Sequence, residues 1–67
     1  TSQKLVLRAE RITATVGGVS PEEARRLLDI SGNDVKTAIV MARRGVDLKK
    51  ARLLIARHGG FLKRILD

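Results

Sequence analysis

The sequence predicts a small all-α protein, a bundle of about five short helices. Three observations predict this fold class: an internal repeat, glycines at regular intervals, and apolar residues at helical spacing. Residues 18–39 align without gaps with residues 45–66, and seven of the 22 aligned pairs are identical. Each copy is expected to form a helical hairpin that packs on the other. Two unrelated hairpins with glycine stops would align almost as well, but they would give the same fold class.

The first two helices are predicted over residues 3–16 and 21–31. The inward stripe of the first is expected to consist of Leu5, Ala9, Ile12 and Val16, and Gly17-Gly18 ends it. Ser20 is a favourable N-cap for the second helix, Pro21 suits its first position, and Glu23 is placed to close a capping box. Gly32 then supplies the left-handed residue that often ends a helix.

Three more helices are predicted over residues 34–44, 48–58 and 61–66. Asn33 or Asp34 caps the third helix, which is apolar on nearly every side and should therefore lie at the centre of the bundle. Asp47 caps the fourth, whose inward stripe is Leu48, Ala51, Leu54 and Ile55. The fifth helix is too short to persist unless its apolar residues dock on the rest.

Length and composition predict one helical domain over residues 1–67, near the lower size limit for a stable core. The chain has no cysteine, which excludes disulfides and fits a cytoplasmic protein. It has no apolar run of the roughly 18 residues that a membrane span needs. Because it does not begin with Met, we expect it to be part of a longer polypeptide.

The residues that commonly carry catalysis are scarce. Glu22 and Glu23 are adjacent, but they lie in the first turn of a helix, where negative charge is favourable, so we assign them to capping. His58 precedes a helix stop and has no metal-ligand residues at useful spacing. We therefore expect no catalytic residue, no cofactor and no metal site in this chain.

The net charge of +7 leaves nucleic-acid binding open as an alternative function. The chain lacks Tyr and Trp for base stacking, and the third helix is too apolar to serve as a recognition helix. A solvated surface is the simpler interpretation, with nucleic acid an unlikely partner. More apolar residues are present than two hairpins can bury, and we expect Val40, Met41, Leu53 and Phe61 to form an interface with another polypeptide.

Four segments resemble the C-terminal helical region of bacterial N-acetylmuramic acid 6-phosphate etherases: GVSPEEARRLL (18–28), GNDVKTAIVMA (32–42), GVDLKKAR (45–52) and GGFLKR (59–64). The stretches 35–41 and 56–62 are particularly similar, and the resemblance covers nearly the whole chain.

The resemblance implies that this is a non-catalytic part of a cytoplasmic lyase of peptidoglycan recycling and amino sugar catabolism. Such a lyase cleaves the lactyl ether of N-acetylmuramic acid 6-phosphate to N-acetylglucosamine 6-phosphate and D-lactate. It also implies a ubiquitin-associated-like three-helix core extended by the second hairpin. The partners would be the enzyme's own N-terminal sugar-phosphate-binding domain and a second subunit of a homodimer, with the segment aiding assembly or covering the sugar-phosphate site. A ubiquitin-associated-like protein-binding module is a further alternative, although the loop Gly17-Gly18-Val19 lacks the large apolar residues such modules usually carry.

Overall fold

The structure, a computed structural model, describes residues 2–60 and 62–66, with side chains from residue 7 to 60 and from 62 to 65. This part of the chain contains five helices and no strand, as predicted. The helices are α1 (Ser2–Gly17), α2 (Pro21–Ile30), α3 (Val35–Arg44), α4 (Leu48–Arg57) and α5 (Leu62–Leu66). Each helix end lies within one residue of its predicted place, and Phe61 lies outside the described residues. None of the helices described here combines the length and hydropathy that crossing a membrane requires.

Three of the helices begin at residues whose side chains satisfy free backbone amides. Ser20 accepts a hydrogen bond from the Glu23 amide at 3.1 Å. Asp34 and Asp47 accept in the same way from the amides three residues further on, at 3.2 and 2.8 Å. These bonds pair donors that the helix itself leaves unsatisfied. Asp34, and not Asn33, is therefore the cap of α3.

The predicted capping box at α2 is only half formed. The Ser20 hydroxyl is paired as expected, but both carboxylate oxygens of Glu23 bind Arg26, at 2.7 and 2.6 Å. An arginine three residues further along a helix is within easy reach and offers a charge-assisted pair of bonds. Arg26 therefore takes the carboxylate that the capping box would have used.

The internal repeat is visible in the backbone. Asn33 N–H donates to Leu28 O at 2.7 Å, and at the same offset of 27 residues Gly60 N–H donates to Ile55 O at 2.8 Å. The turns that precede the two hairpins also match. Val19 N–H donates to Ala14 O, and at the same offset Val46 N–H donates to Met41 O. The glycines at positions 18, 32, 45 and 59 all have positive φ. The repeat therefore starts within α1, and α3 occupies in the second copy the place that α1 occupies in the first.

The fold consists of two three-helix units that share α3. In the first unit α1, α2 and α3 pack on one another, and in the second unit α3, α4 and α5 do so. This sharing explains why α3 is apolar on nearly every side. Its buried residues are Thr37, Ala38, Ile39, Val40 and Met41. Ala38, Val40 and Met41 form one core cluster with Leu27 and Leu28 of α2, Ala51 and Leu54 of α4, and Ile65 of α5.

The inward stripe predicted for α1 is right at Ala9, which packs against the core, and wrong at Ile12 and Val16. Ile12 and Val16 are 43% and 42% exposed, whereas Thr13 is fully buried and Gly17 is buried too. The side chain of Leu5 lies outside the described set. The reason is close helix packing: small residues on the inner face let the backbone of α1 approach α3, and a wider aliphatic face would hold the helices apart. Leu7, Ile12 and Val16 of α1 are consequently left on the outside.

Candidate interaction surfaces

Of the four predicted interface residues, the structure describes three, and only one of these lies on the surface. Val40 is fully buried and Met41 is only 6% exposed, so both belong to the core instead of the surface. The sequence predicts a central α3 but still counted Val40 and Met41 as surplus, because it did not indicate that four helices would cover α3. Leu53 is 51% exposed on α4. Phe61 lies outside the described residues.

Of the two adjacent glutamates at the start of α2, Glu23 is bound to an arginine. The Arg26 guanidinium that binds Glu23 lowers the pKa of the Glu23 carboxyl, mainly through the hydrogen bonds and also through its charge.

At the end of α4, the backbone N–H of His58 donates to Leu54 O at 3.1 Å, so this residue closes the helix. Among the described residues, no three or more potential metal ligands lie together in a group.

Charge is distributed unevenly between the two halves of the chain. Residues 1–34 contain five basic and five acidic residues, whereas residues 35–67 contain nine basic and two acidic residues. The whole net charge of +7 thus lies in the second half. This asymmetry can be read from the sequence when the charges of each half are counted separately.

Three ion pairs lie in the first half of the chain. Arg25 of α2 pairs with Glu10 of α1 at 3.4 Å and also with Asp29, and Arg26 pairs with Glu23. The hydrogen bond that the Arg25 guanidinium donates to the Asp29 carboxylate is the main cause of the raised pKa of Arg25. These pairs are at least partly exposed, so each contributes little stability. Their main consequence is that three of the five acidic residues of the first half are paired with Arg25 or Arg26.

The outer side of α4 is a basic surface with an apolar centre. We define the α4 outer face by its exposed residues: Lys49, Lys50, Arg52, Leu53, Ala56 and Arg57. Within the described part of the chain, none of its four cations takes part in an ion pair. Asp47, the acidic residue beside it, is occupied as the cap of α4. This surface is therefore suited to an anionic partner that also has an apolar contact to offer.

The equivalent side of α2 borders a groove. This open groove of about 560 Å³ has one wall from the start and outer side of α2 and another from the end of α3 and the turn into α4. The first wall is formed by Val19, Glu23, Arg26, Leu27 and Ile30, and the second by Met41, Ala42, Gly45, Val46, Asp47 and Leu48. A turn with apolar and acidic residues thus flanks α2.

Curated relatives align with the chain over nearly its whole length. An N-acetylmuramic acid 6-phosphate etherase of Rhizobium rhizogenes is 42% identical over 66 residues, which is 98% of this chain. Etherases of the same name from Lactobacillus gasseri and Salmonella paratyphi B are 42% and 43% identical over all 67 residues. The chain is similar to one region of the N-acetylmuramic acid 6-phosphate etherases.

That region is a minor part of these etherases. The chain spans 22% of the length of the Rhizobium rhizogenes etherase and 23% of the other two. No family model matches the chain. No solved structure matches it.

Proposed function

We propose that this chain is a non-catalytic helical module of an N-acetylmuramic acid 6-phosphate etherase. The observation that carries the proposal is the alignment of 98–100% of the chain with etherases at 42–43% identity. The parent enzyme is a lyase that cleaves the lactyl ether of N-acetylmuramic acid 6-phosphate, giving N-acetylglucosamine 6-phosphate and D-lactate. It acts in the cytoplasm, in peptidoglycan recycling and amino sugar catabolism.

The use of the carboxylates supports a non-catalytic role. A general acid or base must be free to exchange a proton with the substrate. Here Glu23 is bound to Arg26, and Glu10 and Asp29 are bound to Arg25. The two acidic caps hold the amides of α3 and α4. We therefore assign the lyase chemistry to the part of the etherase that this chain does not span.

Exposed aliphatic residues support a role in assembly or in covering the sugar-phosphate site. Leu7 is 61% exposed, Leu53 is 51% exposed, and Ile12, Val16 and Ile30 are between 42% and 43% exposed. Many exposed aliphatic residues on a small domain favour contact with another polypeptide. The partners that we propose are the N-terminal sugar-phosphate-binding domain of the same polypeptide and a second subunit of a homodimer.

The arrangement of the first unit supports a ubiquitin-associated-like fold. Three short helices pack on one another, with a glycine turn between α1 and α2 and another between α2 and α3. The alternative function, a protein-binding module of that class, would need large apolar residues in the first turn, where Val19 is only half-buried and stands beside two glycines. We favour a module that packs within its own enzyme.

The test is an exchange of regions in the Rhizobium rhizogenes etherase. One hybrid protein has the matched region replaced by these 67 residues, and a second protein has the region deleted. D-lactate release from N-acetylmuramic acid 6-phosphate is measured for both, and subunit mass is measured by light scattering. We expect activity and a dimer in the hybrid, and loss of one or both on deletion. A deletion protein that matches the native enzyme in rate and mass would refute the role.

A further inference from the structure

The start of α4 carries charges that oppose its own stability. Lys49 and Lys50 lie in its first turn, which has no acidic residue, and Glu22 and Glu23 occupy the equivalent positions of α2. The amino end of a helix is electrostatically positive, so cations there are unfavourable and anions are favourable. Arg52 lies three residues beyond Lys49 on the same side, and like charges at this spacing also repel. The carboxylate of the N-cap Asp47 offsets one of these charges, and the start of α4 keeps a net positive charge where the start of α2 is negative.

The apolar centre of the α4 outer face favours a protein over a nucleic acid as its partner. Leu53 is 51% exposed, with Lys49 one turn before it and Arg57 one turn after it. A phosphate backbone offers no apolar contact for such a side chain, and the face has no aromatic residue to stack on bases. An acidic protein surface with an apolar depression offers both kinds of contact.

The first unit indicates what kind of segment flanks this side of the helix. The positions of α2 that correspond to Lys50, Leu53 and Arg57 are Glu23, Arg26 and Ile30, and these line the groove. The same groove is lined by Val46, Asp47 and Leu48. Apolar and acidic residues together therefore flank α2. The face of α4 is more basic than that of α2, so its counterpart should be more acidic.

We infer that the α4 outer face docks on an acidic surface of the etherase polypeptide outside this segment, with Leu53 entering an apolar depression. The inference rests on the proposed function. The partner is chosen by charge complementarity and by the 77–78% of the etherase length that the chain does not span. Docking compensates the cations of α4 and removes Leu53 from water.

Hydrogen exchange of the α4 amides in the hybrid etherase tests the inference. Reversing the charges of α4 should change the exchange rate in opposite directions for a docked and an undocked helix. The first variant is Lys49→Glu with Lys50→Glu, which restores the charges found in α2. If α4 is not docked, the new anions stabilise the helix and its amides exchange more slowly. If α4 is docked on an acidic surface, the same change breaks the contact, and we expect exchange about fivefold faster.

A second variant and a matched control separate docking from general electrostatics. Leu53→Ser removes the apolar contact and should also speed exchange in α4. Leu7→Ser replaces a comparably exposed leucine of α1 and should change α4 exchange less than Leu53→Ser does. Slower or unchanged exchange in the charge-reversed hybrid overturns the inference, as does an effect of Leu7→Ser equal to that of Leu53→Ser.

Two further measurements identify the other outcomes. The hybrid is titrated with duplex DNA at two salt concentrations, and tight binding that Leu53→Ser leaves intact would overturn the protein partner in favour of phosphate. D-lactate release by each variant is recorded in parallel. Unperturbed α4 exchange in an active hybrid would refute the docking face alone, whereas an inactive hybrid would refute the proposed function itself.

Discussion

The backbone of Gly17 in α1 lies directly against the side chain of Ala42 in α3. A Cβ atom placed on Gly17 would stand 2.8 Å from the Cβ of Ala42, closer than real Cβ contacts allow. The glycine is buried and belongs to α1, so its lack of a side chain matters for packing and not for ending the helix. Gly18, with φ of +70°, is the residue that ends it.

We predict that Gly17→Val destabilises the chain by about 1–3 kcal/mol through overpacking between α1 and α3. The measurement is urea unfolding followed by circular dichroism. Thr15→Val is the control, because it introduces the same side chain at an exposed position of the same helix. Equal midpoints for the two variants would mean that α1 does not approach α3 as closely as described.

Thr13 provides an opposite prediction. It is fully buried, its hydroxyl has no hydrogen-bond partner, and the equivalent residue of the second unit is the fully buried Val40. Thr13→Val keeps the shape and removes an unpaired polar group, so we expect stabilisation by about 1 kcal/mol. The reciprocal variant Val40→Thr should lose a similar amount. A loss of stability in Thr13→Val would reveal a partner for the hydroxyl.

At Gly32 the effect of backbone conformation on stability can be measured without a change in side-chain contacts. Its φ is +69°, and a Cβ atom at this position would meet nothing within 4 Å. Gly32→Ala should therefore cost about 1 kcal/mol through the left-handed conformation alone. D-alanine at the same position, introduced by chemical synthesis, prefers positive φ and should be neutral or stabilising. Equal melting temperatures for the two isomers would contradict this turn geometry.

The pairing of Glu23 with Arg26 predicts a weak dependence of stability on acid. The pKa of Glu23 is lowered in the folded chain, so its contribution is present above the unfolded pKa and is lost as the pH falls through the folded one. Arg26→Gln should raise the Glu23 pKa, as followed by NMR of the carboxyl carbon between pH 2 and pH 6. An unchanged titration in the variant would show that the ion pair does not persist in solution.

The charges of α4 predict that one variant stabilises the chain alone and weakens docking in the hybrid. In the 67-residue chain alone, Lys49→Glu with Lys50→Glu should increase the unfolding free energy by up to about 1 kcal/mol, because the new anions lie at the amino end of the helix. Thermal unfolding at low salt measures it, and high salt should reduce the gain. A destabilised variant would mean that these lysines have favourable partners within the chain.

Sequence reasoning was most successful where the determinants are local. Caps such as Ser20 and Asp47, and the positive-φ glycines that follow the helices, depend on a few neighbouring residues and fix the helix ends. It failed where the outcome depends on how helices share space. Ile12 fits a helical stripe, but the close contact at Gly17 turns the small residues inward. Met41 looked like surplus, but α3 is buried by both units.

The candidate interaction surface was only partly predictable for the same reason. Leu53 was expected at an interface, and the structure leaves it exposed. The basic character of its surroundings is visible in the charge count of the second half and in the repeat, which aligns Lys49 and Lys50 with two glutamates of α2. Which cations lack an acidic partner is a property of the packed helices, and no local pattern encodes it.

The central claim is that this chain is a non-catalytic module of an etherase, and D-lactate release from N-acetylmuramic acid 6-phosphate tests it most directly. The rate is measured for the 67-residue chain alone and for the Rhizobium rhizogenes etherase that carries it in place of its matched region. We predict release by the hybrid at a rate near that of the native enzyme, and none by the chain alone. An inactive hybrid that still folds, or D-lactate released by the chain alone, would contradict the claim.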